Sequence, residues 1–366
     1  MDSCDVLIVG GGPAGSSCAW GLRQSGLDVA VFDKQTFPRD KICGGWITPA
    51  VVTSLEIDPV EYNFRRMLQP ITGFRVGRIG GTALETGYGE PVSYGIRRCE
   101  FDDYLLKRSR ARLLLGEPLR SLERSGREWV ANGRIKARLV IGAGGHFCPV
   151  ARLLGAKRSS EAAVVAQETE FEMDTRQAAG CRVSKDIPEL YFCSDMKGYG
   201  WCFRKGDFLN VGLGRFDQHG LPSHVANFLQ YLKSTGRISF EVPPLHGHAY
   251  LLNGTSTRTI VSDAALLVGD AAGLAHPQSG EGILPAVESG LLAAKAIVAA
   301  KGVYEKWRLD EYQTLLAGRR QSWASDAGRY LPSPLIKVLA RGLLKTQWFV
   351  RGVVLDKWFL HAEGSA

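Results

Sequence analysis

The chain has 366 residues, which is enough to bury a large core and predicts two domains. Hydrophobic residues make up 45% of it, and no run of about 18 apolar residues predicts a membrane-spanning helix. The net charge of +8 is spread along the sequence without a basic block, and no nucleic-acid-binding module is recognisable, so we expect no nucleic-acid partner.

Eight cysteines are present, and none of them forms a Cys-x-x-Cys pair. The first apolar run begins within a few residues of Met1, which leaves no room for a signal peptide there. Such a chain is expected to keep its thiols reduced rather than to form disulfides or a zinc site. We therefore predict a cytoplasmic protein.

The first 24 residues predict a strand and a helix that are joined by a glycine-rich turn. Residues 6–9 are an apolar run typical of a buried parallel strand, and residues 14–24 follow as a helix. Gly10 permits a tight turn, Gly12 lets a diphosphate approach the backbone, and Gly15 lets helix and strand pack closely.

Asp33 follows the next apolar run, residues 29–32. A carboxylate at the end of this second strand can accept hydrogen bonds from ribose hydroxyls. The N-terminus of the preceding helix offers unpaired N–H groups and a partial positive charge to phosphates. The combination predicts a dinucleotide site rather than an ordinary tight turn.

The middle of the chain alternates between helical and strand patterns and contains no internal repeat. The predicted features, in order, are a glycine- and proline-rich loop over 38–49, strands within 73–94, a helix over 100–112, a buried strand over 137–142, and β-rich segments over 162–252 with a helix near 223–234. This order predicts a nucleotide domain that is interrupted by a sheet-rich second domain.

A second glycine-rich segment follows the apolar run 265–268, which predicts another buried strand. Asp270 comes directly after that strand and can accept a hydrogen bond from a ribose or ribitol hydroxyl. Pro277 and the nearby glycines bend the backbone towards a long apolar helix predicted over 280–300. The N-terminus of such a helix stabilises negative charge.

Four motifs together resemble the flavoproteins of the p-hydroxybenzoate hydroxylase fold. They are Gly10 to Gly15, Arg98-x-x-Phe101-Asp102-x-x-Leu105, Gly142-Ala143-Gly144-Gly145, and Gly269-Asp270 continuing to Gly282. The resemblance implies an α/β fold of the GR2/p-hydroxybenzoate hydroxylase type. In it, a Rossmann-like FAD-binding domain is interleaved with a β-sheet substrate domain and followed by a helical C-terminus.

The implied domain boundaries divide the chain into three parts. Residues 1–70, 95–155 and 255–320 form the FAD-binding domain, residues 71–94 and 156–254 form the substrate domain, and residues 321–366 form a C-terminal helical segment. The flavin ring is expected to lie between the first two parts.

The resemblance also implies which residues contact FAD. They are Gly10, Gly12, Pro13, Ala14, Gly15, Asp33, Lys34, Cys43, Gly44, Arg98, Gly142, Ala143, Gly144, Gly269, Asp270, Pro277, Gly280, Gly282 and Ile283. Arg98 is expected near the diphosphate or the ribityl chain. Relatives commonly carry aspartate where this chain has Gly144, and its loss weakens the case for NADPH-driven hydroxylation without affecting FAD binding.

Two further segments resemble the geranylgeranyl reductases. One is the Cys-Gly-Gly loop within residues 41–45, and the other is the aromatic segment 198–205, in which Arg204 replaces the expected proline. Tyr199, Trp201 and Phe203 alternate on a predicted strand and therefore share one face. They could line an apolar pocket beside the flavin or form ordinary sheet core.

Cys43, Tyr199 and Trp201 are the predicted catalytic residues. Cys43 lies on a glycine-flanked loop from which it could assist proton delivery or substrate placement, although a small buried role is equally open. His246, His248 and His276 fit no metal-ligand spacing, so we expect no metal site.

Residues 335–360 mix basic side chains with leucine, tryptophan and phenylalanine at helical spacing. A basic amphipathic helix can lie on an anionic bilayer, which would make the protein membrane-associated. The same helix could instead pack over the substrate domain.

The resemblance to the geranylgeranyl reductases implies an FAD-dependent oxidoreductase that transfers hydride from reduced FAD to a carbon–carbon double bond of an apolar, isoprenoid-like substrate. One alternative is a flavin-dependent monooxygenase or halogenase of secondary metabolism, and another is a flavin-holding binding protein without turnover. The electron donor is open between NAD(P)H, ferredoxin and a partner reductase.

Overall fold

A computed structural model describes residues 1–156, 163–217, 220–254, 258–323 and 342–361. Its strands are β1 (Asp2–Val9), β2 (Val29–Asp33), β3 (Trp46–Ile47), β4 (Leu68–Ile71), β5 (Gly73–Arg78), β6 (Ala83–Gly87), β7 (Ser93–Ile96), β8 (Arg112–Leu115), β9 (Leu122–Ser125), β10 (Glu128–Ala131), β11 (Ile135–Gly142), β12 (Ala163–Glu172), β13 (Glu189–Phe192), β14 (Gly198–Lys205), β15 (Phe208–Arg215), β16 (His246–Leu251), β17 (Val261–Ser262) and β18 (Ala265–Leu267).

The helices are α1 (Pro13–Leu22), α2 (Pro49–Ser54), α3 (Pro59–Asn63), α4 (Arg98–Arg108), α5 (Pro149–Leu153), α6 (Thr175–Ala179), α7 (Leu221–Ser234), α8 (Ile283–Ala299) and α9 (Lys306–Trp323). A 3-10 turn covers Gly269–Ala271. A further helix runs over Gln347–Phe349 and continues as a π-helical segment over Val350–Phe359; we call the two together the C-terminal helix.

An eight-stranded sheet forms the nucleotide-binding part of the molecule. Its main order is β17-β18-β11-β1-β2-β8, and β10 and β9 extend it from β11. β1 pairs in parallel with both β11 and β2, as the predicted βαβ unit requires. These strands are continuous apolar runs because helices cover both faces of a parallel sheet.

Helix α1 packs directly against α8, although the two lie far apart in the chain. A Cβ atom at Gly290 of α8 would clash with the backbone oxygen of Ala14, so the two helices approach more closely than a side chain would allow. Both helices contribute to the same buried core as β1 and β11. The first and last parts of the nucleotide domain are therefore one folding unit.

A seven-stranded sheet of order β16-β12-β15-β14-β13-β5-β6 forms the second part of the molecule. One face packs on α7 through residues such as Phe228 and Leu213. The opposite face carries Trp201 and Phe203 and packs on the C-terminal helix through Val354. Each face is therefore covered, which is why the strands are apolar on both sides.

Several predicted boundaries were wrong. Helix α4 begins at Arg98 and ends at Arg108 rather than covering 100–112, and α8 begins at Ile283 rather than at residue 280. The strands predicted within 73–94 separate into two sheets, since β5 and β6 join the large second sheet while β7 pairs with β3 and β4. Such short strands leave little periodicity to read.

All eight cysteines are free thiols in this structure. Within the described residues, no helix combines the length and the apolar character that crossing a membrane requires. Residues 335–341 of the segment predicted to be amphipathic, 335–360, lie outside the described residues.

Candidate active site

A cavity of about 650 Å³ lies where the two large sheets meet. One side of the cavity is lined by residues at, or just after, the carboxyl ends of strands of the nucleotide sheet. These residues are Val9, Asp33, Ala143 and Asp270. Ligands of open α/β sheets bind at this edge of the sheet. Residues of β12, β13, β14 and β16 line the cavity from the second sheet.

The turn from Gly10 to Gly12 has the geometry that the glycine pattern predicts. Gly10 has a φ of +118°, and a Cβ there would clash with the carbonyl oxygen of Ala143. The backbone N–H of Gly11 donates to Asp33 Oδ2 at 2.7 Å, which fixes the carboxylate beside the turn. Helix α1 starts directly after Gly12, so its N-terminus faces this part of the cavity.

Two arginines share one buried carboxylate next to the turn. Arg98 donates from Nε and Nη2 to the two oxygens of Asp102, each at 2.8 Å, and Arg39 Nη2 lies 3.2 Å from Asp102 Oδ2. Arg39 Nη1 is buried and has no hydrogen-bond partner among the described residues. A cationic donor left over beside Gly12 fits the diphosphate of a dinucleotide.

Lys41 and His248 form a second polar pair on the cavity wall. Lys41 Nζ lies 3.2 Å from Nδ1 and 3.1 Å from Nε2 of the imidazole. Burial and the charge of Arg98 lower the pKa of Lys41 to about 8, and burial and the charge of Lys41 lower the pKa of His248 to about 3. The imidazole is therefore neutral at physiological pH and accepts from the lysine.

The Cys43 loop is fastened to the second sheet through its backbone. The N–H of Cys43 donates to Glu168 Oε1, and its carbonyl oxygen accepts from Asn210 Nδ2 at 3.1 Å. Asn210 in turn accepts from Trp201 Nε1 at 2.7 Å. The half-buried thiol of Cys43 lines the cavity and accepts a hydrogen bond from the N–H of Gly45 at 3.4 Å.

Glu168 is a buried carboxyl group on the cavity wall, with only 3% of its surface exposed. Its Oε2 atom has no hydrogen-bond partner among the residues that the structure describes. Burial raises the pKa of Glu168 to about 7, although the N–H of Cys43 and the charge of Lys205 oppose the shift. The group can therefore hold a proton at neutral pH.

Tyr199, Trp201 and Phe203 share one face of β14, as the alternation predicts, and all three line the cavity. Trp46 and Phe359 join them, with the Trp46 ring 6.1 Å from Phe203 and the Phe359 ring 5.3 Å from Tyr199. We call these five residues the aromatic cluster. It makes the substrate-domain side of the cavity apolar.

Glu281 occupies the N-terminus of α8. Its Oε1 accepts a hydrogen bond from the backbone N–H of Leu284 at 2.8 Å. This N–H lies in the first turn of α8, where the sequence predicted donors facing a cofactor, and it already has a protein partner. Glu281 Oε2 lies 3.6 Å from His276 Nε2 and 3.5 Å from His361 Nε2. The three side chains bring ligand atoms within 4.8 Å of one another, a grouping that could hold a metal ion and that the sequence spacing did not predict.

Most of the predicted site residues meet at this cavity. Those lining it are Gly10, Gly12, Pro13, Ala14, Asp33, Lys34, Cys43, Gly44, Arg98, Ala143, Gly144, Tyr199, Trp201, Asp270, Gly280, Gly282 and Ile283. Four others, Gly15, Gly142, Gly269 and Pro277, are absent from its lining. Gly15 does not line the cavity but allows the close packing of α1 on the glycine-rich turn, since a Cβ there would clash with the backbone oxygen of Gly10.

The sequence analysis missed Arg39, Glu168, Tyr250 and Phe359, all of which line the cavity. Arg39 follows a proline in a loop, where no periodicity indicates the direction of a side chain. Glu168 lies in a strand that also carries Gln167, Thr169 and Glu170, so its charge gave no distinctive signal in the sequence.

Comparisons with known proteins agree with this architecture. Residues 8–70 match the family model of the NAD(P)-binding Rossmann-like domain. A geranylgeranyl bacteriochlorophyll reductase-like protein from Thermoplasma acidophilum has the same fold, with a TM-score of 0.74, 22% identity, and coverage of 94% of this chain and 88% of that one. A flavin-dependent brominase also shares it, with a TM-score of 0.70, 17% identity, and coverage of 97% and 92%. These matches show the fold, and the relatives by sequence show that the chain is an FAD-dependent oxidoreductase.

Two relatives identify the family within that class. Menaquinone reductase of Mycobacterium tuberculosis is 30% identical over 331 residues, which cover 81% of this chain and 77% of the relative. Digeranylgeranylglycerophospholipid reductase 1 of Methanothermobacter thermautotrophicus is 27% identical over 347 residues, covering 89% and 85%. The chain belongs to this family of FAD-dependent reductases, the geranylgeranyl reductase family.

Proposed function

We propose that the protein reduces carbon–carbon double bonds in an apolar, isoprenoid-like substrate. The observation that carries the proposal is the aromatic cluster, which faces the cavity from the substrate domain. Five aromatic side chains offer a large apolar surface to a ligand without requiring polar groups from it. The names of the reductases similar to this chain, which refer to menaquinone and to digeranylgeranyl lipids, support the same substrate class.

FAD supplies the hydride when it is bound in its reduced form. We propose that Gly10, Gly12 and Arg39 hold its diphosphate and that Asp33 holds the adenosine ribose, because these groups surround the N-terminus of α1. We propose that Asp270 accepts a hydrogen bond from the ribityl chain. Burial raises the pKa of its carboxyl group, and the charges of Lys41 and Arg98 oppose that shift.

Tyr199 and Trp201 position the substrate in this proposal rather than exchange protons with it. The Tyr199 hydroxyl donates to the backbone oxygen of Ser279, and the Trp201 indole N–H donates to Asn210. Both polar atoms are therefore occupied, which leaves the ring faces for contact with an apolar chain. This assigns the two predicted catalytic residues a binding role.

An anaerobic turnover experiment tests the proposed function. The holoprotein is reduced with dithionite, freed of excess reductant, and mixed with menaquinone or with a geranylgeranyl lipid. We expect oxidation of the flavin and a product whose isoprenoid chain has gained two hydrogen atoms, located by mass spectrometry of its fragments after any quinol has been reoxidised. Cofactor that stays reduced with both substrates would refute the proposal.

The same preparation distinguishes the monooxygenase or halogenase alternative. Mixing the reduced holoprotein with oxygen and an aromatic substrate would then yield a hydroxylated or halogenated product. The brominase likeness supports only the shared fold, since its identity to this chain is 17%. A reductase forms the saturated product without oxygen and forms no oxygenated product when oxygen is present. A monooxygenase or halogenase does the opposite.

We also propose that the C-terminal helix touches a membrane surface. Trp348 is 72% exposed although its neighbour Val350 is fully buried, so the helix presents one large apolar side chain outwards. Arg351 and Lys357 lie on the same helix and could contact anionic headgroups. Such a contact would bring the protein to the membrane, where a lipid substrate is located.

A further inference from the structure

The carboxyl group of Glu168 stands at the junction of the Cys43 loop and the aromatic cluster. It projects from β12 on the face that also carries Ala166, and both residues line the cavity. In the sheet, Glu168 lies opposite Gly212, which in turn lies opposite Trp201. Since Gly212 has no side chain, the Trp201 ring and the Glu168 side chain both pack over it, and a Cβ atom there would clash with each of them.

The two oxygens of Glu168 have different environments. Oε1 accepts the N–H of Cys43, whereas Oε2 is buried and has no hydrogen-bond partner within the described part of the chain. A buried polar atom without a partner is costly, so such an atom in a native site needs an explanation. A proton on Oε2 that is given to a bound ligand would provide one.

The titratable groups around Glu168 come from several elements. Lys205 of β14 and Arg98 of α4 favour the carboxylate, and Glu170 of the same strand favours the acid, but burial outweighs them. On the neighbouring strand β16, His246 lies in direct register with Glu168 and His248 lies two positions along. No cation forms an ion pair with Glu168 among the described residues.

Three other polar side chains on this wall have hydrogen-bond partners or charged neighbours of their own. Lys41 interacts with His248, and the Tyr199 hydroxyl donates to Ser279. Glu281 accepts from Leu284 and lies between two imidazoles. Glu281 Oε2 is likewise buried without a hydrogen bond, but it lies between two imidazoles, whereas no cation or imidazole among the described residues lies within ion-pair distance of Glu168.

We propose that Glu168 is a catalytic acid that protonates the substrate carbon during double-bond reduction. The inference rests on the proposed function. The π bond of the alkene breaks; one carbon receives the hydride, with both electrons, from the reduced cofactor, which is thereby oxidised. The neighbouring carbon forms its new C–H bond with the proton from Oε2, and solvent returns a proton to the carboxylate. The N–H of Cys43 stabilises the carboxylate that forms.

The test uses the FAD-loaded protein and its Glu168→Gln, Glu168→Asp and Glu172→Gln variants. Glu172 lies on the same face of β12 but is exposed, so it serves as the matched control. In stopped-flow mixing with the alkene, we expect Glu168→Gln to oxidise the cofactor about 100-fold or more slowly. The wild-type rate should fall as pH rises through about 7, and this dependence should be absent in Glu168→Gln.

Infrared difference spectroscopy gives a readout that does not depend on turnover. The wild type should show a carboxylic-acid C=O band that titrates near neutral pH, whereas Glu168→Gln should lack it and Glu172→Gln should keep it. FAD absorbance and thermal unfolding check that each variant is folded and loaded. Glu168→Asp should restore part of the rate.

Three results would count against the assignment. A Glu168→Gln variant that is folded, loaded and within threefold of the wild-type rate would overturn it and leave the proposed function intact. A carboxyl band that titrates where an ordinary glutamate does would overturn it in the same way. If the wild type reduces no alkene at all, the proposed function fails, and the acid role fails with it.

Discussion

The indole of Trp46 stacks on the ring of Phe359, with centroids 5.4 Å apart and planes inclined by 11°. This contact joins β3, which follows the Cys43 loop, to the end of the C-terminal helix. Phe359 is only 2% exposed and also meets Tyr199 edge-on. The C-terminal helix therefore supplies part of the wall of the active site.

Replacing Phe359 by alanine should destabilise the docking of that helix. Removing a buried phenylalanine costs about 3–5 kcal/mol when the site does not collapse. We expect faster limited proteolysis between residues 342 and 361 and a lower midpoint of thermal unfolding. Trp348→Ala, at a side chain that is 72% exposed, is the control and should change neither measurement appreciably. Equal effects of the two changes would contradict the packing described.

Gly12→Val should abolish FAD retention while leaving the apoprotein folded. A Cβ at Gly12 has only Arg39 Nη2 nearby, at 3.5 Å, so the side chain disturbs no packing and instead occupies the space assigned to the diphosphate. The measurement is the flavin absorbance of purified protein together with its circular dichroism. Gly87→Val, at an exposed strand position with nothing within 4 Å of its Cβ, should stay yellow. A Gly12→Val protein that is purified with bound FAD would show that the diphosphate does not lie at this turn.

Arg39→Met should weaken FAD binding by about 10- to 100-fold, as expected for losing a hydrogen bond to a charged group. The fold should survive, because Asp102 keeps both hydrogen bonds from Arg98. Fluorescence titration of the apoprotein with FAD measures the effect. Arg23→Met removes an arginine that lies over Trp20 and should leave the affinity unchanged. Unaltered affinity in Arg39→Met would show that Arg39 Nη1 does not meet the cofactor.

Glu168 should make stability depend on pH. Its pKa is about 7 in the folded protein against an ordinary value of 4.5 for a solvated glutamate, so the folded state binds more protons between these values. Stability should therefore fall as pH rises from 4.5 to 7, by about 3 kcal/mol at most, and this contribution should vanish in Glu168→Gln. Denaturant unfolding at several pH values measures it, with Glu172→Gln retaining the wild-type slope. Parallel slopes for wild type and Glu168→Gln would refute the raised pKa.

Trp348→Ala should lower the binding of the protein to anionic vesicles. The side chain is 72% exposed on a helix that also carries Arg351 and Lys357. Co-sedimentation with phosphatidylglycerol vesicles measures the bound fraction. Phe64 is 82% exposed and adjoins two arginines, so Phe64→Ala tests whether any exposed aromatic residue would serve. Equal losses in both variants would place the membrane contact elsewhere.

The nucleotide sheet and the alternation on β14 could be predicted because their patterns are unambiguous. Buried runs such as residues 6–9 permit one interpretation in a βαβ context, and aromatic residues at every second position share a face in any register. The sequence therefore predicted correctly that Gly10, Asp33 and Trp201 are brought to one place.

The position of Glu168 could not be predicted in this way. Both faces of β12 mix apolar and polar residues, so its alternation does not say which face meets the cavity. That choice depends on the register with β15 and β16, which long-range pairing decides. The polar links between Cys43, Glu168 and Asn210 join three separate segments and have no local pattern.

The close packing of α1 against α8 affects how the protein is made. Some 270 residues separate Pro13 from Ile283, and a ribosome adds about 5–20 residues per second. Synthesis of α8 is therefore completed on the order of ten seconds to one minute after synthesis of the glycine-rich turn. The seven-stranded sheet, which lies between them in the chain, can fold during this time. If FAD contacts residues on both sides of this gap, as we propose, we expect it to bind only after most of the chain has been synthesised.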